Sequence, residues 1–153
     1  MALERSAGAV VFFRDPDGGI RYLLLQYGPG HWDFPRGNME KGETELDTAI
    51  REVREEANLR DLRIVPGFRD EATWYYRRGG KTIRKTASYL LAESPTTSVT
   101  ISHEHKGYQW LPFEAARARA TFDNARRILE KAQEFLTGER PPPQTDPGQQ
   151  RLM

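Results

Sequence analysis

Three glutamates, Glu52, Glu55 and Glu56, lie close together near the end of a segment with helical periodicity. On a helix they share one face, because residues three and four positions apart are neighbours. Like charges at this spacing repel each other, and the C-terminal end of a helix disfavours negative charge. Local stability gives no reason for the cluster, whereas grouped carboxylate oxygens suit Mg²⁺ or Mn²⁺. The spacing predicts a divalent metal site, with a solvated acidic face as the alternative.

Two neighbouring features favour the metal site. A glycine-containing loop, residues 37–42, leads into the helix and can approach the face that carries the acids. Glu43 precedes the helix and adds a fourth carboxylate nearby. A divalent cation among these oxygens would turn their mutual repulsion into attraction, and this would account for the placement of the charges.

The acidic cluster is positioned by a helix that we predict over residues 44–57. Thr44 and Asp47 fit the start of a capping box, and Asn58 suits the left-handed position that ends a helix. Apolar residues recur at helical spacing and predict one buried stripe. The stripe consists of Leu46, Ala49, Ile50, Val53 and Ala57.

The remaining segments predict a sheet that supports this helix. Strands are expected at residues 6–13, 20–27, 62–65, 71–76 and 81–92, with short strand ends at 99–101 and 108–111. Two further helices are expected at 112–118 and 122–136, the second with Phe122 and Leu129 on its apolar side. This order predicts an α/β fold, with a mixed sheet between helices. Residues 1–138 form one predicted domain, and residues 139–153 are predicted to be a disordered C-terminal tail.

Composition limits the classes of function. The 153 residues are 37% hydrophobic and 29% charged, with a net charge of +1, which is typical of a soluble protein and provides no overall field for nucleic acid or membrane. The absence of cysteine excludes disulfides and thiolate metal sites and suits a cytoplasmic location. The N-terminal residues are typical of neither a signal peptide nor a membrane span. We expect a monomer with a small-molecule substrate, without a membrane or nucleic-acid partner.

One stretch resembles a known signature. Gly37, Glu43 and residues 51–59, which read REVREEANL, are similar to the Nudix box, G-x5-E-x7-R-E-U-x-E-E-x-G-U with U apolar. One specified position differs: Asn58 stands where the box has glycine, and asparagine tolerates the same left-handed conformation. The resemblance implies a Nudix hydrolase, an α/β/α sandwich that cleaves a nucleoside diphosphate linked to another group.

The resemblance also implies roles for individual residues. The implied metal ligands are the carbonyl of Gly37 and the side chains of Glu52, Glu55 and Glu56. The implied cofactor is Mg²⁺ or Mn²⁺, with two to three ions present together with substrate. Glu43 and Arg51 would form a structural salt bridge that fixes the loop against the helix.

Other stretches resemble one branch of that family, the asymmetrical diadenosine tetraphosphate hydrolases. Residues 31–37, HWDFPRG, are similar to the branch's His-Trp-x-x-Pro-Lys-Gly loop, with Arg36 in place of lysine. Residues 102–111, SHEHKGYQWL, match its Ser-His-Glu-His stretch followed by Tyr-x-Trp-Leu. The branch implies that water attacks the distal, fourth phosphorus of the tetraphosphate and releases AMP and ATP. It also implies that Glu104 joins Glu52 and Glu55 as a catalytic and metal-binding residue, and that Glu55 or Glu104 accepts the proton.

Cations and aromatic rings are expected to bind the substrate. Residues 77–85 form a predicted hairpin with five basic side chains, and two of its lysines share one strand face. Tyr75 and Tyr76 offer a platform for adenine. Because adjacent strand residues point to opposite faces, we expect Tyr76 to face the ligand and Tyr75 to lie in the core. The candidate substrate contacts are His31, Arg36, Lys81, Lys85 and one of Tyr75 and Tyr76, with Tyr76 favoured.

Histidines and tryptophans have simpler expected roles. A His-x-His pair without cysteine is weak evidence for zinc, so we expect His31, His103 and His105 to form hydrogen bonds rather than to bind a metal. The three tryptophans, Trp32, Trp74 and Trp110, are expected in the core.

Three alternative functions remain open at this point. An RNA 5′-end pyrophosphohydrolase also carries a Nudix box and a similar Trp-x-x-Pro loop, although it would need a longer basic track. A pyrophosphatase acting on non-standard nucleoside triphosphates would use the same metal chemistry. A Nudix-like module that binds a nucleotide without cleaving it would need no intact set of glutamates, and this chain has the complete set.

Overall fold

The structure is a computed structural model that describes residues 2–144. Its helices are α1 (Glu45–Ala57), α2 (Phe113–Arg119) and α3 (Asp123–Thr137). Its strands are β1 (Ala2–Arg14), β2 (Ile20–Tyr27), β3 (Trp32–Asp33), β4 (Arg36–Asn38), β5 (Arg63–Ile64), β6 (Asp70–Arg78), β7 (Lys81–Glu93) and β8 (His105–Pro112).

A mixed eight-stranded sheet forms the middle of the molecule. β1 runs parallel to β7 through the centre, from the pair Ala2 and Ile83 to the pair Phe12 and Glu93. The other strand pairs are antiparallel: β1 with β2 and β4, β2 with β3 and β8, and β7 with β5 and β6. The predicted mixed sheet is confirmed.

Helices cover both faces of this sheet because the side chains of its central strand alternate between two cores. On one face, Ala9 and Val11 of β1 share a buried cluster with Val53 of α1. On the other face, Phe12 of β1 shares a buried cluster with Ile128 of α3. Successive side chains of a strand point to opposite faces, so each strand contributes to both layers. The predicted sandwich is therefore confirmed.

Helix α1 begins and ends as the sequence predicts. Thr44 is its N-cap, and the capping box with Asp47 is formed in both directions. Asn58 adopts the left-handed conformation, with φ at 54°, and its N–H donates to the carbonyl of Arg54. Asparagine thus takes the position that glycine occupies in the Nudix box.

The buried face of α1 differs from the predicted stripe. Leu46 and Ile50 are 43% and 40% exposed, whereas Glu56 is 7% exposed. The buried side chains of the helix are Thr48, Ala49, Val53, Glu56 and Ala57. The apolar pattern mispredicts the orientation because α1 contacts β4 as well as β1, which turns the glutamate-bearing side of the helix inward.

Several segments differ from their predicted structure. The two segments expected to be loops, residues 31–37 and 37–42, contain the two short strands β3 and β4. Residues 99–101 form no strand; Val99 and Ile101 pack instead against the core beneath α1. Phe122 is the N-cap of α3 and is 45% exposed, because Thr121 is tied to the backbone of Trp32 by two hydrogen bonds.

The C-terminal segment is described only as far as residue 144. Residues 139–144 contain neither helix nor strand, and the carbonyl of Pro142 accepts a hydrogen bond of 2.7 Å from buried Arg117. The rest of the predicted tail, residues 145–153, lies outside the described residues. Within residues 2–144, no helix is both long and apolar enough to cross a membrane.

Candidate active site

A groove of about 530 Å³ opens beside the C-terminal half of α1. It contains all five residues that the sequence predicts as metal ligands: Gly37, Glu52, Glu55, Glu56 and Glu104. Its other lining residues are Tyr27, Arg36, Ser102, His103 and His105. Gly37 and Glu104, which are distant in sequence from the three glutamates of α1, thus line the same depression as those glutamates.

The close approach of β4 to α1 depends on a glycine. A Cβ placed on Gly37 would overlap the carboxylate of Glu52. Gly37 is paired with Ala7 of β1, so it cannot move away without disturbing the centre of the sheet. Because glycine has no side chain, β4 can pack directly against the carboxylate of Glu52 at one edge of the groove.

Glu104 reaches the groove because its loop is tied to the end of α1. The last carbonyls of a helix have no partner within the helix. Here the N–H of Thr100 donates to the carbonyl of Ala57, and the N–H of Ser102 donates to that of Glu56, both at 3.1 Å. These bonds place Glu104 across the groove from the glutamates of α1.

Arg51 and Glu43 form the expected salt bridge. The Arg51 Nε lies 2.7 Å from Glu43 Oε2, and its Nη2 lies 2.9 Å from Glu43 Oε1. The same Nη2 also donates to the carbonyl of Asn38 at 3.0 Å, so one guanidinium links α1 to the preceding loop. The Arg51 hydrogen bonds lower the pKa of Glu43 to about 2.

The glutamates of the groove have different electrostatic environments. Burial, followed by the charge of Glu52, raises the pKa of Glu56 to about 8. Burial also raises the pKa of Glu52, although Arg51 donates to it at 2.7 Å. The side chain of Glu55 is 55% exposed.

These residues fit a divalent cation. Burial raises the pKa values of the neighbouring carboxylates Glu52 and Glu56 and so disfavours their charged forms. A bound cation would favour the charged forms and offset this cost. Their oxygens and the carbonyl of Gly37 form the hard donor set of Mg²⁺ or Mn²⁺. In the described part of the chain no three His, Asp or Glu side chains are already gathered at ligand distance. Glu52 Oε1 lies 2.7 Å from Arg51 Nη1, so part of the negative charge of Glu52 is already paired.

A second cavity, of about 400 Å³, lies between the sheet and the start of α3. Its lining is mainly apolar, and it contains His31, Asp33, Arg36, Ala72, Trp74, Tyr89, Phe122, Asn124, Ala125 and Ile128. Arg36 lines both this cavity and the acidic groove. Flat aromatic walls and this volume suit a nucleobase.

Arg36 is held firmly at the boundary between the two spaces. Its Nη1 lies 2.5 Å from Oδ2 of Asp33 and 3.2 Å from the hydroxyl of Tyr89. Its guanidinium also lies over the rings of Tyr27 and Trp74, at 5.8 and 5.4 Å from their centres. Arg36 thus lies where the groove and the cavity meet, and Asp33 is a partner that the sequence did not reveal.

The β6–β7 hairpin corrects the expected aromatic platform. Tyr75 is 59% exposed, and it pairs with Arg84 on the sheet face away from the cavity, so its expected place in the core is wrong. Tyr76 is on the cavity side, but its hydroxyl donates to Glu4 and it does not line the cavity. The cavity is lined instead by Trp74, which the sequence placed in the core. Period-two alternation groups Trp74 with Tyr76 and could have revealed it.

The two predicted lysines differ in position. Lys85 pairs with Trp74, and its Nζ lies 5.9 Å from the centre of that ring. Burial lowers the pKa of Lys85. Lys81 is exposed at the tip of the hairpin. Only Lys85 is therefore adjacent to the cavity.

The histidines cluster where the groove and the cavity meet. His31 stacks on Tyr27 with ring centres 4.9 Å apart and lies 5.3 Å from Phe122. His103 lines the groove, and His105 is buried beneath it. Phe122, expected on the buried side of α3, instead forms part of the cavity wall.

Comparison with known proteins agrees with this geometry. The family model described as NUDIX domain matches residues 4–132. This chain belongs to the Nudix family. Nudix hydrolases in general need divalent metal ions.

Several relatives that share one name align with this Nudix hydrolase over most of their length. The asymmetrical bis(5′-nucleosyl)-tetraphosphatase of Mus musculus is 37% identical over 89% of this chain and 97% of that protein. The Caenorhabditis elegans protein of the same name is 36% identical over 86% of this chain and 96% of its own. The solved C. elegans Ap4A hydrolase in a binary complex has a TM-score of 0.77 and 34% identity, covering 89% of this chain and 99% of that one.

Proposed function

We propose that this Nudix hydrolase cleaves diadenosine tetraphosphate to ATP and AMP with the help of divalent metal ions. The proposal rests on one observation, the contact between the acidic groove and the apolar cavity. An acidic groove that fits cations adjoins an apolar cavity that fits a base, and Arg36 lines both. A nucleotide with its base in the cavity would therefore extend its phosphates past Arg36 into the groove.

The relatives support a dinucleotide as substrate. Those reported above are named for asymmetrical cleavage of a bis(5′-nucleosyl) tetraphosphate, and they align with this chain over nearly their whole length. The substrate is long and highly charged, so its recognition needs cations beyond a single arginine. Lys85 near the cavity and Lys81 at the hairpin tip are the proposed further contacts.

The metal would be held by oxygens of the groove. The proposed ligands are the carbonyl of Gly37 and the carboxylates of Glu52, Glu55, Glu56 and Glu104. The proposed cofactor is Mg²⁺ or Mn²⁺, with two to three ions in the presence of substrate. When bound, such ions supply charge neutralisation of the phosphates and acidify the attacking water.

The protein's own groups supply the remaining steps. Glu55 and Glu104 are the exposed carboxylates of the groove, so either can accept the proton of the attacking water. Glu56 is less suited to this step because it is 7% exposed. Arg36 would stabilise charge on the non-bridging oxygens, and Trp74 would stack on the adenine.

Product analysis in ¹⁸O-labelled water tests the proposal. Diadenosine tetraphosphate is incubated with the full chain and Mg²⁺, and the products are separated by chromatography and identified by mass spectrometry. We expect AMP and ATP, with the label in AMP, and no turnover in excess chelator. Two molecules of ADP would contradict asymmetrical cleavage, and metal-independent turnover would contradict the role of the groove.

One alternative has support from the cavity. A single base cavity adjoins the groove in the part of the chain that is described, and one nucleoside triphosphate could also occupy it. Competition between non-standard nucleoside triphosphates and diadenosine tetraphosphate separates the two substrates by kcat/KM. A 5′-triphosphorylated oligonucleotide in the same assay tests the RNA 5′ end.

The cellular setting and assembly stay predictions. We propose a monomer in the cytoplasm. Size-exclusion chromatography with light scattering tests the monomer, and imaging of the tagged protein tests the location.

A further inference from the structure

His105 is a buried side chain with one uncommitted nitrogen beneath the acidic groove. Its side chain is 2% exposed and lies edge-on to Tyr27, with ring centres 4.6 Å apart. Its Nδ1 lies 2.8 Å from the hydroxyl of Ser102. Its Nε2 is fully buried and, within residues 2–144, forms no hydrogen bond, although Glu56 Oε1 is only 3.4 Å away. A buried nitrogen of this kind calls for a partner.

The contact with Ser102 is compatible with a proton on Nε2 of His105. The hydroxyl of Ser102 can donate to Nδ1, and a neutral imidazole that accepts at Nδ1 carries its proton on Nε2. The backbone of Ser102 is fixed at the same time, because its N–H donates to the carbonyl of Glu56. With this tautomer, Nε2 of His105 carries a proton 3.4 Å from Glu56 Oε1, and a small rotation of the carboxylate would complete a hydrogen bond that these two atoms do not form in the structure.

Glu56 Oε1 has one long side-chain hydrogen bond among the described residues. The Tyr27 hydroxyl lies 3.3 Å from this oxygen, but it has one proton and lies closer, at 2.6 Å, to the carbonyl of Phe34. The backbone N–H of Arg36 interacts with the Glu56 carboxylate from the side of β4 and lowers its pKa. A second donor, from His105, would fix it from the side of the 102–105 loop.

We infer that His105 is a positioning residue that donates a hydrogen bond from Nε2 to Glu56 Oε1 and so orients the Glu56 carboxylate for a divalent cation. This inference rests on the proposed metal-dependent function. Carboxylates that bind metals are held by such outer hydrogen bonds, and loss of one typically costs 10–100-fold in metal affinity. The sequence predicts that His105 forms a hydrogen bond. The inference names Glu56 as the partner and the orientation of its carboxylate as the role.

Two substitutions separate this role from a purely structural one. His105→Gln places an amide near the position of Nε2 and can still donate to Glu56, but it loses the contact with Ser102. His105→Asn places an amide near Nδ1 and keeps the contact with Ser102, but it cannot reach Glu56. Mn²⁺ affinity of the full chain is measured by electron paramagnetic resonance without substrate, and thermal unfolding in chelator reports on folding.

We expect His105→Asn to bind Mn²⁺ about 10–100-fold more weakly than the wild type and His105→Gln to remain within a few-fold of it. The reverse order, equal weakening of both variants, or wild-type affinity in both would overturn the inference. If either variant fails to fold, Ser102→Ala tests the same step. We expect weaker Mn²⁺ binding from Ser102→Ala, and unchanged affinity would overturn the inference.

The wild type and a groove variant distinguish this outcome from failure of the proposed function. If wild-type protein does not bind Mn²⁺, or if Glu56→Gln binds it equally well, the metal site itself is wrong. If the wild type binds Mn²⁺ and Glu56→Gln does not, the metal site is present, and the His105 variants then test the positioning role alone.

Discussion

Three neighbouring glutamates of α1 have three different surroundings. Glu52 is bonded to Arg51, Glu55 is largely exposed, and Glu56 is buried beside Tyr27 and His105. Helical spacing alone makes them equivalent members of one face. Their individual chemistry therefore depends on the groups that the rest of the fold places around each one.

Glu55→Gln tests the proton acceptor. The substitution keeps size and removes the basic oxygen, so we expect turnover to fall roughly 10²–10⁴-fold or more. Because Glu55 is more than half exposed, the fold should remain intact, as circular dichroism and thermal unfolding would show. Glu104→Gln measured in parallel identifies the stronger base. Near wild-type rates from Glu55→Gln would remove Glu55 from the mechanism.

Glu56→Gln tests the buried carboxyl through the pH dependence of stability. Burial raises the pKa of Glu56 from 4.5 to about 8, so the folded protein keeps a proton that the unfolded chain releases. Without metal, we expect the wild type to lose stability relative to Glu56→Gln as pH rises from 4.5 to about 8. The relative slope is at most about 1.4 kcal/mol per pH unit. Urea unfolding in chelator measures it.

The control for this prediction is the same comparison with Mn²⁺. A bound cation favours the ionised carboxylate, so the metal should stabilise the wild type more than Glu56→Gln at pH 8. Parallel unfolding curves for the two proteins across the whole pH range would show that the pKa of Glu56 is not raised.

At the scale of elements, the site depends on the close packing of β1, β4 and α1. Two glycines allow it: Gly8 faces the backbone of Pro35, and Gly37 faces the carboxylate of Glu52. The same packing turns the acidic side of α1 inward. An apolar stripe predicts the burial of Leu46 and Ile50 only when no neighbouring element packs against another side of the helix.

Gly8→Ala tests this close packing. An added Cβ would overlap the carbonyl oxygen of Pro35 and lie 2.7 Å from the Cβ of Arg36. We expect a loss of about 1–3 kcal/mol in the free energy of unfolding, because backbone atoms cannot yield as a flexible side chain does. Gly107→Ala is the control, since its new Cβ would have no neighbour closer than 3.8 Å. Equal stabilities of the two variants would contradict the packing argument.

At the scale of the whole molecule, the groove and the cavity lie where distant parts of the chain meet. The groove combines α1, β4 and the 102–105 loop, and the cavity combines β6, β7 and α3. The parallel pairing of β1 with β7 brings these parts together across about 80 residues of sequence. Phosphate chemistry and base recognition therefore belong to separable regions.

Trp74→Ala tests that separation. Loss of a stacking ring worth about 1–3 kcal/mol should raise KM for diadenosine tetraphosphate roughly 10–100-fold and change kcat much less. Tyr75→Ala is the matched control, because Tyr75 is the next residue of β6 and points to the opposite face. Steady-state kinetics of both variants measures the difference. A larger effect from Tyr75→Ala would contradict the position of the base cavity.

The sequence by itself determined the features that depend on local geometry. Helical spacing and capping are set within a few residues, so the bounds of α1, the left-handed Asn58 and the shared face of Glu52, Glu55 and Glu56 were predictable. The Glu43–Arg51 salt bridge followed from the resemblance to the Nudix box.

Only the tertiary structure decided which side chains meet across the sheet. Trp74 and Phe122 line one cavity, and Arg36 joins that cavity to the groove, because of strand order and the tie between Thr121 and Trp32. The alternation of a strand gives two possible faces, but it does not say which face a distant helix covers. The exposure of Tyr75 and the burial of Glu56 and His105 depend on that long-range packing, which no local pattern of residues encodes.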